Sequence, residues 1–181
     1  MVSNIPAKLT QIELAPGHKR GLTLNSPFIA ESGCWGFVDE YSKLINMHLL
    51  GAMTTNPITV YPRQPARGVQ IRETNPGIAL HTGLPNPGIH KALLKFGKKW
   101  SQFSCPIIVH LAVDNPDEVN ECIYQLEEQD NVLGIELGFH HHENPNHAAA
   151  IITKAAKGSL PIVVKVPFEN PETFAKLAQD S

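Results

Sequence analysis

The stretch PIIVHLAVDNPDEVNECIYQLEEQDNVLGIEL, residues 106–137, contains a complete strand, helix and strand pattern. Its two apolar runs, 106–112 and 132–137, are nearly continuous, which is typical of strands that are covered on both faces in a parallel sheet. The segment between them begins with Asn115 and Pro116, an N-cap residue followed by a proline at the first helical position. The stretch therefore predicts a βαβ unit with a helix over 115–129.

The same alternation of strands and helices is predicted over the rest of the chain. Further strands are predicted at 27–30, 51–55 and 161–166, and further helices at 39–48, 88–103, 146–157 and from Pro171 onward. An antiparallel hairpin over 9–24 precedes them, because two alternating segments flank a turn-rich sequence. The segment 56–87 has no convincing helix, and a loop of this length is usually functional or indicates that the assignment of elements is wrong.

Five consecutive β/α units over 27–181 indicate an α/β fold with a parallel sheet. Such units close either as an open doubly wound sheet or as a (β/α)8 TIM barrel, and both carry their sites at the carboxyl ends of the strands. In this sequence those ends are 31–33, 54–56, 110–113, 138–142 and 165–168.

The composition restricts the class of protein. A chain of 181 residues fits a single domain, and its formal net charge of −2 disfavours a nucleic acid partner. Its three cysteines, Cys34, Cys105 and Cys122, are too few and too widely spaced for a disulfide framework or a CxxC zinc site. The sequence shows neither a targeting segment nor an apolar run long enough to span a membrane, so we expect a cytoplasmic protein.

Several motifs in collinear order resemble the class 1 dihydroorotate dehydrogenases, which are FMN-dependent (β/α)8 barrels. The resemblance covers the chain from about residue 9 to its end. Its most specific parts are Ser-Gly-x-x-Gly-Phe at 32–37, Pro-Arg at 62–63 through Arg-Glu-Thr at 72–74, Gly-Leu-x-Asn-Pro-Gly at 83–88, and Ile-x-Leu at 135–137. The resemblance implies a TIM barrel of which this chain supplies a hairpin and about the first five β/α units.

The resemblance also implies an FMN site at the strand ends. The positions that match the family's cofactor-binding elements are Ser32, Gly33, Asn56, His110, Gly138 and Lys165. Asn56 stands where the family has a lysine that contacts flavin and substrate. Lys165 matches a lysine that lies against the flavin ring in the family and stabilises the reduced flavin.

Substrate-binding positions depart from the family pattern. The family's asparagine before the Gly-Leu-x-Asn-Pro-Gly element is replaced here by Leu80 or His81. The implied substrate-binding residues are His81, Gly83, Leu84 and Asn146. The substrate is therefore expected to be a small molecule bound in an altered pocket.

The loop over 138–146 contains His140, His141 and His142 where the family carries a cysteine or serine base. A histidine is a plausible replacement because its unperturbed pKa of about 6.5 leaves most molecules able to accept a proton at neutral pH. Two other interpretations stay open: a solvated polar loop, and a metal site completed by His81 and His110. The three consecutive histidines alone do not form a metal-ligand spacing.

Lys165 requires an explanation on physical grounds, because burying an unpaired ammonium group in an apolar run is costly. Strand alternation predicts that its side chain faces the barrel interior, with Val164 and Val166 on the opposite, helix-facing side. The alternatives are a side chain that reaches water at the strand end, or an ion pair with a neighbouring acid such as Glu136.

A closed barrel needs eight strands and about 250 residues. The family's phosphate-binding strand ends come from its seventh and eighth strands, which have no counterpart here. We therefore expect a longer chain or another subunit to supply the remainder of the barrel, and we expect a homo-oligomer. The leading hypothesis is an FMN-dependent oxidoreductase that transfers hydride between a substrate C–C bond and flavin. The alternatives are a non-catalytic flavin-binding or ligand-binding homologue and a metal-dependent barrel enzyme.

Overall fold

The computed structural model describes residues 11–75 and 77–180. The predicted hairpin is present as β1 (Ile12–Glu13) paired antiparallel with β2 (Thr23–Leu24), and residues 9 and 10 lie outside the described residues. The Glu13 carboxylate accepts hydrogen bonds from the backbone N–H groups of Ala15 and Leu22, both at 2.7 Å. This single side chain therefore fixes both arms of the hairpin.

Nine strands and four α-helices are found in the described residues. After the hairpin they are β3 (Ile29–Ala30), β4 (Ala52–Thr54), β5 (Ile71–Glu73), β6 (Ile78–Leu80), α1 (Ile89–Gln102), β7 (Ile107–Leu111), α2 (Pro116–Glu127), β8 (Val132–Gly138), α3 (Pro145–Ala155), β9 (Ile162–Lys165) and α4 (Pro171–Asp180). A short 3₁₀ turn, Met47–Leu49, precedes β4.

The main sheet has the order β3-β4-β7-β8-β9, and every neighbouring pair is parallel. The strand order follows the chain order without reversal, which excludes the doubly wound alternative. The sheet curls as half of a (β/α) barrel, in agreement with the predicted fold class. We call this arrangement the half-barrel.

Side chains alternate between the two faces of the half-barrel. The convex face packs against the helices through the main core, in which Ile107, Val109, Leu111, Ile135 and Leu137 meet buried residues of α1, α2 and α3. The concave face holds a smaller apolar cluster at its amino end, where Ala52 and Ile108 contact Leu24 of the hairpin. The hairpin thus closes the amino end of the half-barrel, and the polar side chains of the concave face lie toward the carboxyl end.

Helix starts agree with the sequence pattern. The Asn115 side chain accepts a hydrogen bond from the backbone N–H of Asp117 at 2.9 Å, so the predicted N-cap of α2 is confirmed. Asn144 caps α3 in the same way, through the N–H of Asn146 at 2.9 Å. Local side-chain chemistry therefore fixes where these two helices begin.

Two predictions need correction. The helix predicted over 39–48 is wrong, because this segment forms turns and the short 3₁₀ turn, and its apolar residues Tyr41, Leu44 and Ile45 are exposed. Most of the stability of a helix in a protein comes from packing its apolar face, and these apolar side chains are not buried against the core. The segment 56–87 does lack a helix, but it contains the antiparallel pair β5–β6, whose residues are all exposed.

No helix of the described residues is both long and apolar enough to cross a membrane.

The thiols provide a direct test of the core. Burial raises the pKa of both Cys105 and Cys122 to about 12, whereas Cys34 is exposed. Because the thiolate is the reactive form, we expect an aromatic disulfide reagent to modify Cys34 alone in the folded protein and all three thiols after denaturation. Peptide mass spectrometry identifies the labelled residue. Rapid labelling of folded Cys34→Ser protein at position 105 or 122 would contradict the packing described here.

Candidate functional site

The carboxyl ends of the five parallel strands surround a cavity of about 660 Å³. The side chains that reach it come from β7, from β8, from β9 and from the segments that follow each strand. Of the positions singled out from the sequence, those that line it are Ser32, Gly33, Asn56, Leu84, His110, Gly138, His140, His141 and Lys165. Parallel pairing explains this convergence, because it brings every strand end to one rim.

His110, which lines this cavity, pairs with the carboxylate of Glu136, and we call these two side chains the floor pair. His110 and Glu136 are direct register partners on β7 and β8, and His110 Nδ1 lies 2.6 Å from Glu136 Oε1. Both side chains are largely buried, with exposed fractions of 8 % and 13 %. Gly138, two residues beyond Glu136 on the same face, provides the space for the imidazole.

Lys165 lies at the carboxyl end of β9 and lines the cavity, while Val164 packs against the main core. The expectation that Val166 faces the helices is wrong, since Val166 also lines the cavity just beyond the strand. Lys165 Nζ donates to Glu31 Oε1 at 2.6 Å, and 43 % of the lysine side chain is exposed. The lysine is therefore neither unpaired nor fully buried. Its partner is Glu31 and not Glu136, which contacts His110.

Ser32 and Asn56 line the cavity at the ends of β3 and β4. Asn56 Oδ1 accepts a hydrogen bond from the N–H of Gly36 at 3.2 Å, which fixes the orientation of the side-chain amide. Ser32 Oγ is buried and has no hydrogen-bond partner among the described residues. Buried polar atoms are rarely left unsatisfied in proteins, so this hydroxyl marks a place where a ligand atom could bind.

The rim of the cavity carries further ion pairs. Arg63 donates to Asp114 Oδ2 at 2.6 Å, and His140 Nε2 lies 3.3 Å from Asp114 Oδ1. All three residues line the cavity. Asp114 is thus the shared partner of both basic side chains, and its single negative charge balances the positive charge of Arg63.

The loop histidines lie in different environments. His140 and His141 line the cavity, whereas His142 is 87 % exposed and pairs with Glu169 at 3.0 Å. His147, on α3, pairs with Glu143 at 2.8 Å. Within residues 11–75 and 77–180, no three His, Cys, Asp or Glu side chains are close enough together to hold a metal ion.

Four predicted residues lie outside the cavity lining: His81, Gly83, His142 and Asn146. Asn146 is in the first turn of α3, where its N–H is used by the cap of that helix. His81 is exposed next to β6, and its neighbours Thr82 and Leu84 line the cavity. The substrate-binding roles of His81, Gly83 and Asn146 and the catalytic role of His142 remain predictions.

Sequence reasoning gave no role to Glu31, Arg63 or Asp114, although all three belong to the ion pairs of this site. Glu31 directly follows a predicted strand, and Asp114 directly follows the predicted strand end at 110–113. Their positions directly after these predicted segments were the sequence feature that could have identified Glu31 and Asp114 as site residues. Their partners could not be identified because Lys165 is 134 residues from Glu31 and Asp114 is 51 residues from Arg63.

The comparisons with known proteins agree on one family. The family profile described as Dihydroorotate dehydrogenase matches residues 18–176. The catalytic subunit of dihydroorotate dehydrogenase B (NAD(+)) from Bacillus pumilus is 33 % identical over 172 residues, which cover 88 % of this chain and 54 % of that protein. The corresponding subunit from Listeria welshimeri is 33 % identical over 158 residues, which cover 81 % of this chain and 52 % of that protein.

A solved structure supports the fold. The crystal structure of DHODH from Eimeria tenella in complex with ferulenol superposes on this chain with a TM-score of 0.66 and a sequence identity of 15 %. The matched region covers 87 % of this chain and 55 % of that chain. The chain therefore spans about half the length of the relatives that it matches.

The contact between Lys165 and Glu31 gives a titration test. The hydrogen bond and the positive charge of Lys165 hold the pKa of Glu31 below its ordinary value of 4.5. In Lys165→Met we expect the Glu31 pKa to rise toward that value, because the neutral side chain stabilises the carboxylate less. Carbon-13 NMR of the carboxyl groups measures it.

Glu13 is the internal control for this titration. Its pKa is lowered by Thr23 and by the backbone N–H groups of Leu22 and Ala15, so it should not change in Lys165→Met. A Glu31 pKa that is the same in both proteins would show that the ion pair does not form in solution.

Proposed function

The chain belongs to the dihydroorotate dehydrogenase family, and on that premise we propose that it supplies the substrate-facing half of an FMN-dependent oxidoreductase. The proposed reaction transfers a hydride between a substrate C–C bond and the flavin. The main support for this proposal is that Lys165, Asn56 and Ser32 line one cavity at the strand ends. The Ser32 hydroxyl has no hydrogen-bond partner among the described residues.

The residues of this cavity fit a flavin. Its volume of about 660 Å³ lies within the range of roughly 300–1,000 Å³ that is usual for cofactor and ligand sites. Ser32 Oγ would gain the hydrogen-bond partner that it lacks, and Asn56 Nδ2 remains available as a donor because Oδ1 is engaged with Gly36. Lys165 Nζ adds a fixed positive charge.

When bound, the flavin supplies the hydride acceptor. Lys165 holds its ammonium group at the carboxyl end of β9, where it favours the reduced cofactor, which carries more negative charge than the oxidised one. Glu31 lies against this ammonium group and offsets part of its effect. The two side chains together set the electrostatic potential on that side of the cavity.

The proposed substrate is a small molecule that is dehydrogenated at a CH–CH group, as the names of the dihydroorotate dehydrogenase relatives imply. The proposed pocket is altered, since Asn56 stands where the family has a lysine, and Leu80 or His81 stands where it has an asparagine. That one of His140, His141 and His142 moves the companion proton stays a prediction. His141 and His140 are the two that reach the cavity.

The remaining partners are also proposals. In the main sheet, β3 and β9 each pair on one side only within the described residues. Because the relatives are about twice as long, we propose that a longer polypeptide or another subunit completes the barrel and that the whole protein forms a homo-oligomer. A cytoplasmic location remains an expectation from the sequence.

Two alternatives can be separated from this function. A non-catalytic homologue would bind flavin that no dihydropyrimidine reduces. A metal-dependent enzyme would need a cluster of ligating side chains, and the described residues hold none. The visible absorbance of bound flavin, followed by anaerobic addition of dihydroorotate, distinguishes the three cases.

The variant Lys165→Met tests the flavin site. We expect a lower flavin reduction potential and a flavin reduction rate that falls by roughly 100-fold, since a fixed charge that stabilises the reduced cofactor is lost. The fold should persist, because exposed ion pairs stabilise proteins by about 1 kcal/mol or less. Lys91→Met, on the exposed face of α1, is the matched control. An unchanged potential in Lys165→Met would remove this residue from the site.

A further inference from the structure

The pair of His110 and Glu136 is the most buried ionisable contact of the cavity. His110 Nδ1 and Glu136 Oε1 are 2.6 Å apart, on adjacent parallel strands. The ion pairs at the rim are far more exposed: 66 % of the His140 side chain and 54 % of the Asp114 side chain are accessible. A buried polar pair on the concave face is costly unless it is fully hydrogen-bonded, and here the geometry meets that condition on the Nδ1 side.

The backbone of His110 is held on both sides. Its N–H donates to Thr55 Oγ1 at 3.2 Å, and its carbonyl accepts from the N–H of Ile58 at 2.9 Å. Both contacts come from the segment that follows β4. The imidazole therefore projects from a rigid element, which is the usual support for a group that must be positioned accurately.

The Nε2 atom has no hydrogen-bond partner within the part of the chain that the structure describes. It lies beside Gly138, where an added Cβ would be only 2.4 Å from Nε2. Any side chain at position 138 would therefore displace the imidazole. His110 and Gly138 both line the cavity, and 8 % of the His110 side chain is accessible.

Glu136 selects the tautomer of this histidine. A carboxylate can only accept, so neutral His110 donates Nδ1–H to Glu136 and carries its lone pair on Nε2. A proton that arrives at Nε2 forms an imidazolium ion, which the adjacent carboxylate stabilises. The pair thus has the orientation of a general base with its positioning partner.

We propose that His110 is the proton acceptor of this site, with Glu136 as its positioning residue. The proposal rests on the function proposed above. In dehydrogenation, one substrate C–H bond breaks and its proton passes to His110 Nε2, while the C–H bond on the adjacent carbon breaks with its electron pair, which leaves as hydride to the flavin. A C=C bond forms between the two carbons, so atoms and electrons balance.

The rate of flavin reduction tests this role, with the flavin-loaded, full-length protein and L-dihydroorotate as the probe. Because His110 is also an implied cofactor-binding position, the rate of His110→Asn is expressed per bound FMN, which is counted from its visible absorbance, and dithionite should reduce that FMN normally. Reduction by the probe should fall by roughly 100-fold or more, which is the usual contribution of a general base. His90→Asn, at an exposed position on α1, is the matched control and should keep the full rate.

A second readout does not depend on turnover. Nitrogen-15 NMR of the His110 ring in the flavin-free protein, recorded at a pH at which the ring is neutral, should show a protonated Nδ1 and an unprotonated Nε2. In Glu136→Gln the amide can donate to Nδ1, so the population with a proton on Nε2 should rise, whereas Glu121→Gln on the exposed face of α2 should leave it unchanged. Gly138→Ala should disturb the same signals by displacing the ring.

The outcomes separate the two proposals. If the wild-type protein binds no FMN, or if its flavin is not reduced by the probe, the proposed function fails and the role of His110 fails with it. If the wild-type flavin is reduced and His110→Asn reacts at the same rate, the role of His110 alone is overturned. A proton on Nε2 of the neutral wild-type ring, or a loss of rate confined to variants of His140, His141 and His142, also overturns it.

Discussion

Parallel pairing of five strands in chain order is the constraint on which the rest of this structure depends. It brings every strand end to the same rim, and its alternation sends one set of side chains to the helices and the other to the concave face. Leu111 and Leu137 therefore belong to the main core, while their chain neighbours His110 and Glu136 meet on the opposite face. The same backbone geometry builds both the core and the candidate site.

Contacts between side chains of opposite charge are the second feature of the cavity. Lys165, Arg63 and His110 each contact a carboxylate that comes from a different element of the fold. These contacts differ in burial: the pair on the floor is largely removed from water, and those at the rim are solvated. Because electrostatic interactions strengthen as water is excluded, the floor pair is the one whose orientation is most firmly fixed, whereas the rim pairs can exchange partners with a charged ligand.

The small and polar residues at the strand ends complete this arrangement. Gly138 leaves room for the His110 ring, and the hydroxyl of Ser32 lacks a partner in the described residues. Both features lie in one cavity whose amino end is closed by the hairpin, since Leu24 contacts Ala52 and Ile108. Apolar packing below and unsatisfied polar groups above are what a site for a partly polar cofactor requires.

The sequence by itself determined the strands of the half-barrel, α1 to α4 and the N-cap at Asn115, because hydrophobic period and capping are local signals. The sequence also predicted where the strands end and that Lys165 lies at one of these ends. The helix predicted over 39–48 is absent, and Leu44 and Ile45 of this segment are exposed and not packed against the core. The strands β5 and β6 were not predicted, because all their residues are exposed and their sequences do not show the pattern of a buried face. Only the tertiary structure decided that Lys165 pairs with Glu31 and that Glu136 pairs with His110, since register and strand order bring together side chains that are far apart in the chain.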